Sequence, residues 1–142
     1  MANDTWATPD DLFNELNARY HFTLDGAADA SNHKLPRWWG PGGEREDALG
    51  EPWALPERVF FNPPYSRGRQ RAWVEAAIDY AWRGGFSVGL LPADTSTKLF
   101  HDLIWQRYRV EFLKKRVRFV GAPSAAKFGS MIVEFNLSGQ MY

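Results

Sequence analysis

The stretch from Arg58 to Leu91 changes its apolar period twice, and this constrains the fold more than any other feature of the chain. Arg58-Val59-Phe60-Phe61 is a β-branched and aromatic run of strand length. Residues 69–82 then place Trp73, Ala76, Ala77, Tyr80 and Ala81 three and four apart, the spacing of one helical face. Phe86-Ser87-Val88-Gly89-Leu90-Leu91, closed by Pro92, then reads as a further strand. Strand, helix and strand in that order suggest a mainly parallel α/β sheet.

The flanking segments extend this pattern. Thr8 is placed to cap a first helix, Pro9 suits its first position, and Asp10 and Asp11 complement its dipole, with Leu12, Phe13 and Leu16 as the buried stripe. His21-Phe22-Thr23-Leu24-Asp25 is a further strand, followed by Gly26-Ala27-Ala28, small residues that permit a tight turn and a close approach. Thr95 to Trp105 is expected to form a second crossover helix, and Val110–Leu113, Val117–Val120 and Ser130–Phe135 read as β runs. The expectation is a compact α/β fold, mostly parallel with a C-terminal antiparallel hairpin, forming a single domain over 1–142 with no separate recognition domain.

Between the first two strands, residues 26–57 have no periodicity and include Pro36, Pro41, Gly42, Gly43, Gly50, Pro52 and Pro56, the mark of a long functional or disordered connection. Trp38, Trp39 and Trp53 within it argue for order, because tryptophans on a mobile loop leave large apolar areas in water. The chain carries seven Trp, five Tyr and ten Phe in 142 residues, so some rings are expected to face a ligand. Trp38, Trp39, Trp73, Trp82 and Trp105 are expected in the core rather than as base platforms, and Trp38 and Trp39 are the alternative candidates for a lid.

The absence of cysteine excludes a disulfide scaffold, a thiolate nucleophile and a zinc ribbon, and fits a cytoplasmic protein. The apolar runs are far shorter than the roughly 20 residues that span a bilayer, so no membrane partner is expected. His21, His33 and His101 have no metal-ligand spacing, and no metal is assigned. Ser66, His101 and Asp94 form a hydrolase triad only on paper, since no Gly-x-Ser-x-Gly elbow exists. Net charge is zero, but residues 1–61 carry eleven acidic and five basic side chains and residues 62–142 six acidic and twelve basic. The basic half is the part suited to a polyanion.

Ligands of open α/β sheets bind beyond the carboxyl ends of strands, and two strands here end in polar, small or rigid clusters. In Asn62-Pro63-Pro64-Tyr65 the side chain of Asn62 offers a carbonyl acceptor, and the two prolines fix φ and remove two backbone donors. A planar amine held by Asn62 and the Pro63 carbonyl, with its ring stacked on Tyr65, would fit such a turn. Taken alone, the same four residues serve equally as a structural stop. A WW-domain ligand is excluded, because that pattern needs a residue between the second proline and the tyrosine.

Phe61-Asn62-Pro63-Pro64-Tyr65-Ser66 resembles the catalytic motif of amino-group methyltransferases that use S-adenosylmethionine. Together with Trp6-x-Thr8-Pro9, Leu24-Asp25-x-Ala27-Ala28, Asn32, Asp47-x-Leu49, Trp53, Leu90-Leu91-Pro92-Ala93, Phe100-His101, Arg116-Val117-Arg118-Phe119 and Phe128-Gly129-Ser130-Met131, it resembles the small phage-type DNA N6-adenine methyltransferases of the Dam family over nearly the whole chain. The resemblance implies a Rossmann-like methyltransferase sheet, S-adenosylmethionine as cofactor, double-stranded DNA as partner and the cytoplasm of a bacterial host as location. It also implies that Trp6, Thr8, Pro9, Asp25, Ala27, Ala28, Asp47 and Asn62 contact the cofactor. Asn62, Pro63, Pro64 and Tyr65 would form the catalytic turn that holds the flipped base.

Ser66, Arg67, Arg69 and Arg71 directly follow that turn and are expected on DNA, with Arg116, Arg118 and Lys127 as a second set; the cluster Lys114 to Arg118 reads equally as a solvated face. The chain departs from the methyltransferase pattern in having one glycine after the first strand and only 37 positions between Asp25 and Asn62. No obvious acidic residue is left for the cofactor ribose, and Asn32, Asp29 and Asp47 remain the alternatives. Methyl transfer to RNA or to a protein glutamine offers the same planar geometry, and a catalytically silent DNA-binding relative is the other class.

Overall fold

The computed structural model describes residues 6–65 and 68–137. Helix α1 (Asp10–Tyr20) leads into strand β1 (Leu24–Asp25), and the long connection returns to β2 (Arg58–Phe61). Helix α2 (Gln70–Trp82), β3 (Phe86–Pro92), a π-helical turn at Phe100–Ile104, β4 (Arg109–Phe112) and β5 (Ser130–Phe135) complete the order. The five strands form one sheet in the order β1-β2-β3-β5-β4. β1, β2 and β3 are mutually parallel, whereas β5 lies antiparallel to both β3 and β4. The sheet is therefore mixed, with its parallel part first and the expected hairpin at the far side.

Strand alternation supplies two cores. Val59 and Phe61 of β2 face the layer that holds Trp53, Trp73, Val74, Ala77 and Tyr80, while Phe60 faces the layer of Phe13, Leu16, Tyr20 and Phe22. Burial on both faces explains why β2 and β3 read as continuous apolar runs. Trp53, 1% exposed, sits edge-on to Phe61 and Tyr80 and donates its indole N–H to the Ala48 carbonyl at 3.1 Å. It fastens the long connection to the core, and its truncation to alanine would cost about 3–5 kcal/mol.

That connection is ordered by the sheet edge. Asp25 donates its N–H to the Arg37 carbonyl and accepts from the N–H of Trp39, so residues 37–39 run alongside β1 as an added parallel edge. Gly40, at φ +133°, crosses directly over the preceding turn, where a Cβ would lie 1.7 Å from the Ala28 oxygen. Gly26 presses on β2, and a Cβ there would meet Val59 at 2.6 Å. Only glycine fits either contact.

Several expectations change. Thr8 does not cap α1, which begins after Pro9 without a side-chain cap. β1 is only two residues long, because His21 ends α1 in the left-handed region at φ 55° and the Asn17 side chain takes the Phe22 N–H. The segment 95–105 is not a full helix. Ser96 and Thr97 donate to Asp94, Phe100 donates to the Thr97 hydroxyl, and the short π-helical turn that follows stops at an extended Trp105. Such local side-chain bonds compete with helix formation. Residues 117–120 keep an alternating in-and-out pattern but join no strand of the sheet; Val120 pairs only with Ala7, as an isolated antiparallel bridge. Trp82 and Trp105 are 63% and 46% exposed rather than in the core.

Candidate active site

Because β1 and β2 are parallel neighbours, their carboxyl ends deliver Asp25 and Asn62 to the same edge of the sheet. A cavity of about 320 Å³ opens there. Of the residues expected around a cofactor, Trp6, Thr8, Asp25, Ala27, Ala28, Asp47 and Asn62 line it; Pro9 does not. Asp29 and Asn32, two of the ribose alternatives, line it with Asp47. Trp39, buried at 3%, is part of the wall under the Arg45 guanidinium, 4.1 Å above its ring. Trp38 stacks instead on His33 at 4.0 Å and does not line the cavity.

Asp25 is the most perturbed acid of the site. Its carboxyl is 3% exposed, and burial pushes its pKa from 3.8 to about 6. The N–H groups of Lys34 at 2.9 Å and Ala27 at 3.2 Å, together with the nearby His33 and Lys34 side chains, oppose that rise. A carboxyl so poised is a functional-site signal. Lys34 also extends away to pair with Asp10 at 2.6 Å.

Among the described residues the Asn62 side chain is held by one hydrogen bond. Its Nδ2 donates to Thr8 Oγ1 at 3.1 Å, which leaves Oδ1 as an acceptor at the cavity edge. Pro63 is buried, and Pro64 lines the same cavity as Asn62. Tyr65 turns the other way. Its ring lies edge-on to Phe119 and Phe128, and its hydroxyl donates to the Leu90 carbonyl at 3.1 Å. Burial holds this phenol well above its usual pKa, so it remains a donor.

Tyr65 opens on a second cavity, about 520 Å³, beyond the carboxyl end of β3. Leu91, Pro92, Phe100, Ile104 and Met131 make most of its wall apolar. The Asn-Pro-Pro-Tyr turn is thus the partition between two cavities, with Asn62 and Pro64 on one side and Tyr65 on the other.

The expected DNA contacts are dispersed over this region. Arg69 lines the first cavity and Arg71 the second, the latter paired with Glu75 at 3.2 Å. Arg116, Arg118 and Lys127 are exposed and form no ion pair among the described residues. Ser66 and Arg67 lie outside the described residues. Glu46 and Lys34 also line the first cavity, and nothing in their sequence surroundings marks them, because the loop that carries them is placed by tertiary contacts. Among the described residues no group of three or more His, Asp or Glu side chains could hold a metal ion, and no helix is long and apolar enough to cross a membrane.

The family model described as DNA N-6-adenine-methyltransferase (Dam) matches residues 1–136. The chain is also similar to a curated protein of Escherichia phage T1 named DNA N-6-adenine-methyltransferase, with 33% identity over 100 residues. Those residues are 70% of this chain and 40% of the relative, so the match spans less than half of that protein. With a family match that runs through both cavities and the turn between them, the chain belongs to the DNA N-6-adenine-methyltransferase (Dam) family.

Proposed function

We propose that this protein transfers a methyl group from S-adenosylmethionine to the exocyclic N6 of adenine in DNA, with the cofactor in the first cavity and the extruded base in the second. The observation that carries the reading is the placement of the Asn62–Tyr65 turn as the wall between the two cavities. On this reading β1, β2 and β3 are the retained parallel part of a Rossmann-like methyltransferase sheet.

The first cavity fits the cofactor in size and in donor chemistry. Its volume of about 320 Å³ lies at the lower end of the roughly 300–1,000 Å³ range of small-molecule sites. Asp25, Asp29, Glu46 and Asp47 supply carboxyl groups suited to a ligand that carries a sulfonium and an ammonium. The buried Trp6 Nε1 has no partner among the described residues, an orphaned donor on the wall. Bound there, S-adenosylmethionine supplies an electrophilic methyl group. Trp6, Thr8, Asp25, Ala27, Ala28, Asp47 and Asn62 are the residues we assign to it, and Pro9, outside the cavity lining, is not among them.

The turn does the rest by positioning. Asn62 Oδ1 and the Pro63 carbonyl accept the two N–H bonds of the target amine, which raises electron density on its nitrogen and aims its lone pair across the partition. Tyr65 offers its ring to the base, and the apolar wall of the second cavity excludes water. Unstacking the base costs a few kcal/mol, which ring stacking and phosphate contacts by Ser66, Arg67, Arg69, Arg71, Arg116, Arg118 and Lys127 offset. Catalysis of this kind rests on orientation and on fixed dipoles.

The test is transfer of labelled methyl to unmethylated duplex DNA, run beside RNA and a protein extract, with the modified base identified after nuclease digestion. N6-methyladenine in DNA, absent with Asn62→Ala, is the expected result. Label only in RNA or protein would replace the substrate, and DNA binding without cofactor binding would make the chain a silent relative.

A further inference from the structure

Thr8 stands next to the reacting centre although it comes from a different end of the described chain. Its side chain is 2% exposed, it does not cap α1, and its hydroxyl oxygen is the acceptor for Asn62 Nδ2. The segment that carries it is held on both sides. Ala7 exchanges both backbone hydrogen bonds with Val120, at 3.1 and 2.8 Å, and Pro9 accepts the first bond of α1 from Phe13 at 3.0 Å. Trp6, one residue before Ala7, stacks on Phe119 with ring centroids 6.3 Å apart.

The chemistry of an amide makes this contact consequential. The terminal torsion of asparagine is broad and roughly two-fold, so the carbonyl and the NH₂ exchange places at little intrinsic cost. An incoming amine presents N–H donors, and only an outward Oδ1 can accept them. A flipped Asn62 would set donor against donor. With Oδ1 outward, Nδ2 points into the protein, where an unpartnered N–H would carry a desolvation penalty. In the orientation the structure shows, the Thr8 hydroxyl accepts that N–H, so Nδ2 is partnered within the protein and Oδ1 is left outward for the amine.

We infer that Thr8 is a positioning residue, whose hydroxyl holds the Asn62 amide with Oδ1 turned to the target amine. This inference rests on the methyl-transfer reading above. It gives the Thr8 side chain a role distinct from the helix cap and from the cofactor contact expected of it.

The experiment compares Thr8→Val, which keeps the shape and removes the hydroxyl, with Thr8→Ser, which keeps the hydroxyl. Single-turnover rates on duplex DNA, KM for DNA, cofactor affinity and the thermal midpoint are measured for both in the full chain. The ¹H–¹⁵N signals of the Asn62 side-chain amide, assigned by their loss in Asn62→Ala, are followed in parallel. Thr8→Val is expected to lower the methyl-transfer rate at saturating cofactor about tenfold to hundredfold, the scale of a misplaced reacting group, with KM for DNA near that of the wild type. Thr8→Ser should restore most of the rate, and the Asn62 amide signals should shift in Thr8→Val alone. A wild-type rate in Thr8→Val, an equal loss in both variants, or unmoved amide signals in Thr8→Val would overturn the inference. A wild-type protein that methylates no adenine in DNA would instead overturn the functional reading, and this inference with it.

Discussion

The two cavities beside the Asn62–Tyr65 turn open at the same edge of the sheet and differ in every other respect. The first is bounded by Asp25, Asp29, Glu46 and Asp47 and draws its wall from the aperiodic connection after β1. The second is larger and mostly apolar, and it forms where β3 meets its antiparallel neighbour β5 and the π-helical turn. A charged ligand held by many hydrogen bonds suits the former, and a flat ring excluded from water suits the latter. Ligand class thus follows strand direction: the parallel half of the sheet supplies polar ends and loops, and the junction with the antiparallel half supplies apolar side chains.

The contrast is sharpest at the partition. Asn62→Ala should reduce the single-turnover rate by about 10²–10³-fold, the usual cost of deleting one preorganised polar contact to the reacting group, a larger loss than any in cofactor affinity. Loss of affinity in step with the rate would assign Asn62 to the first cavity alone. Tyr65→Ala comes next. Stacking of a base on an aromatic ring is worth about 1–3 kcal/mol, so kcat/KM for DNA should fall roughly tenfold to hundredfold with cofactor binding intact. Weaker cofactor binding in this variant would break the separation of the two cavities.

Asp25 tests the polar side through pH. Burial raises its carboxyl from 3.8 to about 6, so below pH 6 the folded apo protein holds a proton that a cationic ligand would displace. Cofactor affinity measured by calorimetry should fall as pH drops through about 6, by up to roughly tenfold per pH unit, and Asp25→Asn should flatten the profile. The sign for folding is the reverse of that of a salt-bridged carboxylate. The folded state binds more protons than the unfolded state between about 4 and 6, so stability declines as pH rises across that window and the asparagine variant lacks the decline. The smallest effect is expected at Arg116 or Arg118. Each alanine variant should weaken DNA binding a few-fold and lower the logarithmic salt slope by about one, as read by fluorescence anisotropy. An unchanged slope would leave these arginines as a solvated face.

Much of this was legible in the residues themselves. β2, α2 and β3 carry unmixed periodicities, and the turn at Asn62 follows directly on a strand, so its place at a sheet edge was implied. The failures came where local chemistry or distant contacts decide. Thr95 to Trp105 has helical spacing, but Asp94, Ser96 and Thr97 bond to one another first. Val117 to Val120 alternates like a strand, yet the antiparallel neighbour of β4 is β5, and Val120 is left to pair with Ala7. Tyr65 was expected beside Asn62 in one pocket; a single peptide turn sends it into another. Trp39, Lys34 and Glu46 reach the first cavity because residues 37–39 attach to β1, a contact with no signature in composition. The adjacent Trp38 and Trp39 argue in the sequence only that this connection is ordered, not where it attaches.

The strand order also has a consequence for biosynthesis. β3 occupies the middle of the sheet, and one of its two edges is paired by β5, which lies more than a quarter of the chain downstream. While the nascent chain emerges from the ribosome, that edge exposes its amides and carbonyls until Ser130–Phe135 has left the exit tunnel. Unpaired strand edges are the surfaces through which folding intermediates aggregate. The second cavity, whose wall includes Met131 of that last strand, is therefore complete only after translation of nearly the whole described chain.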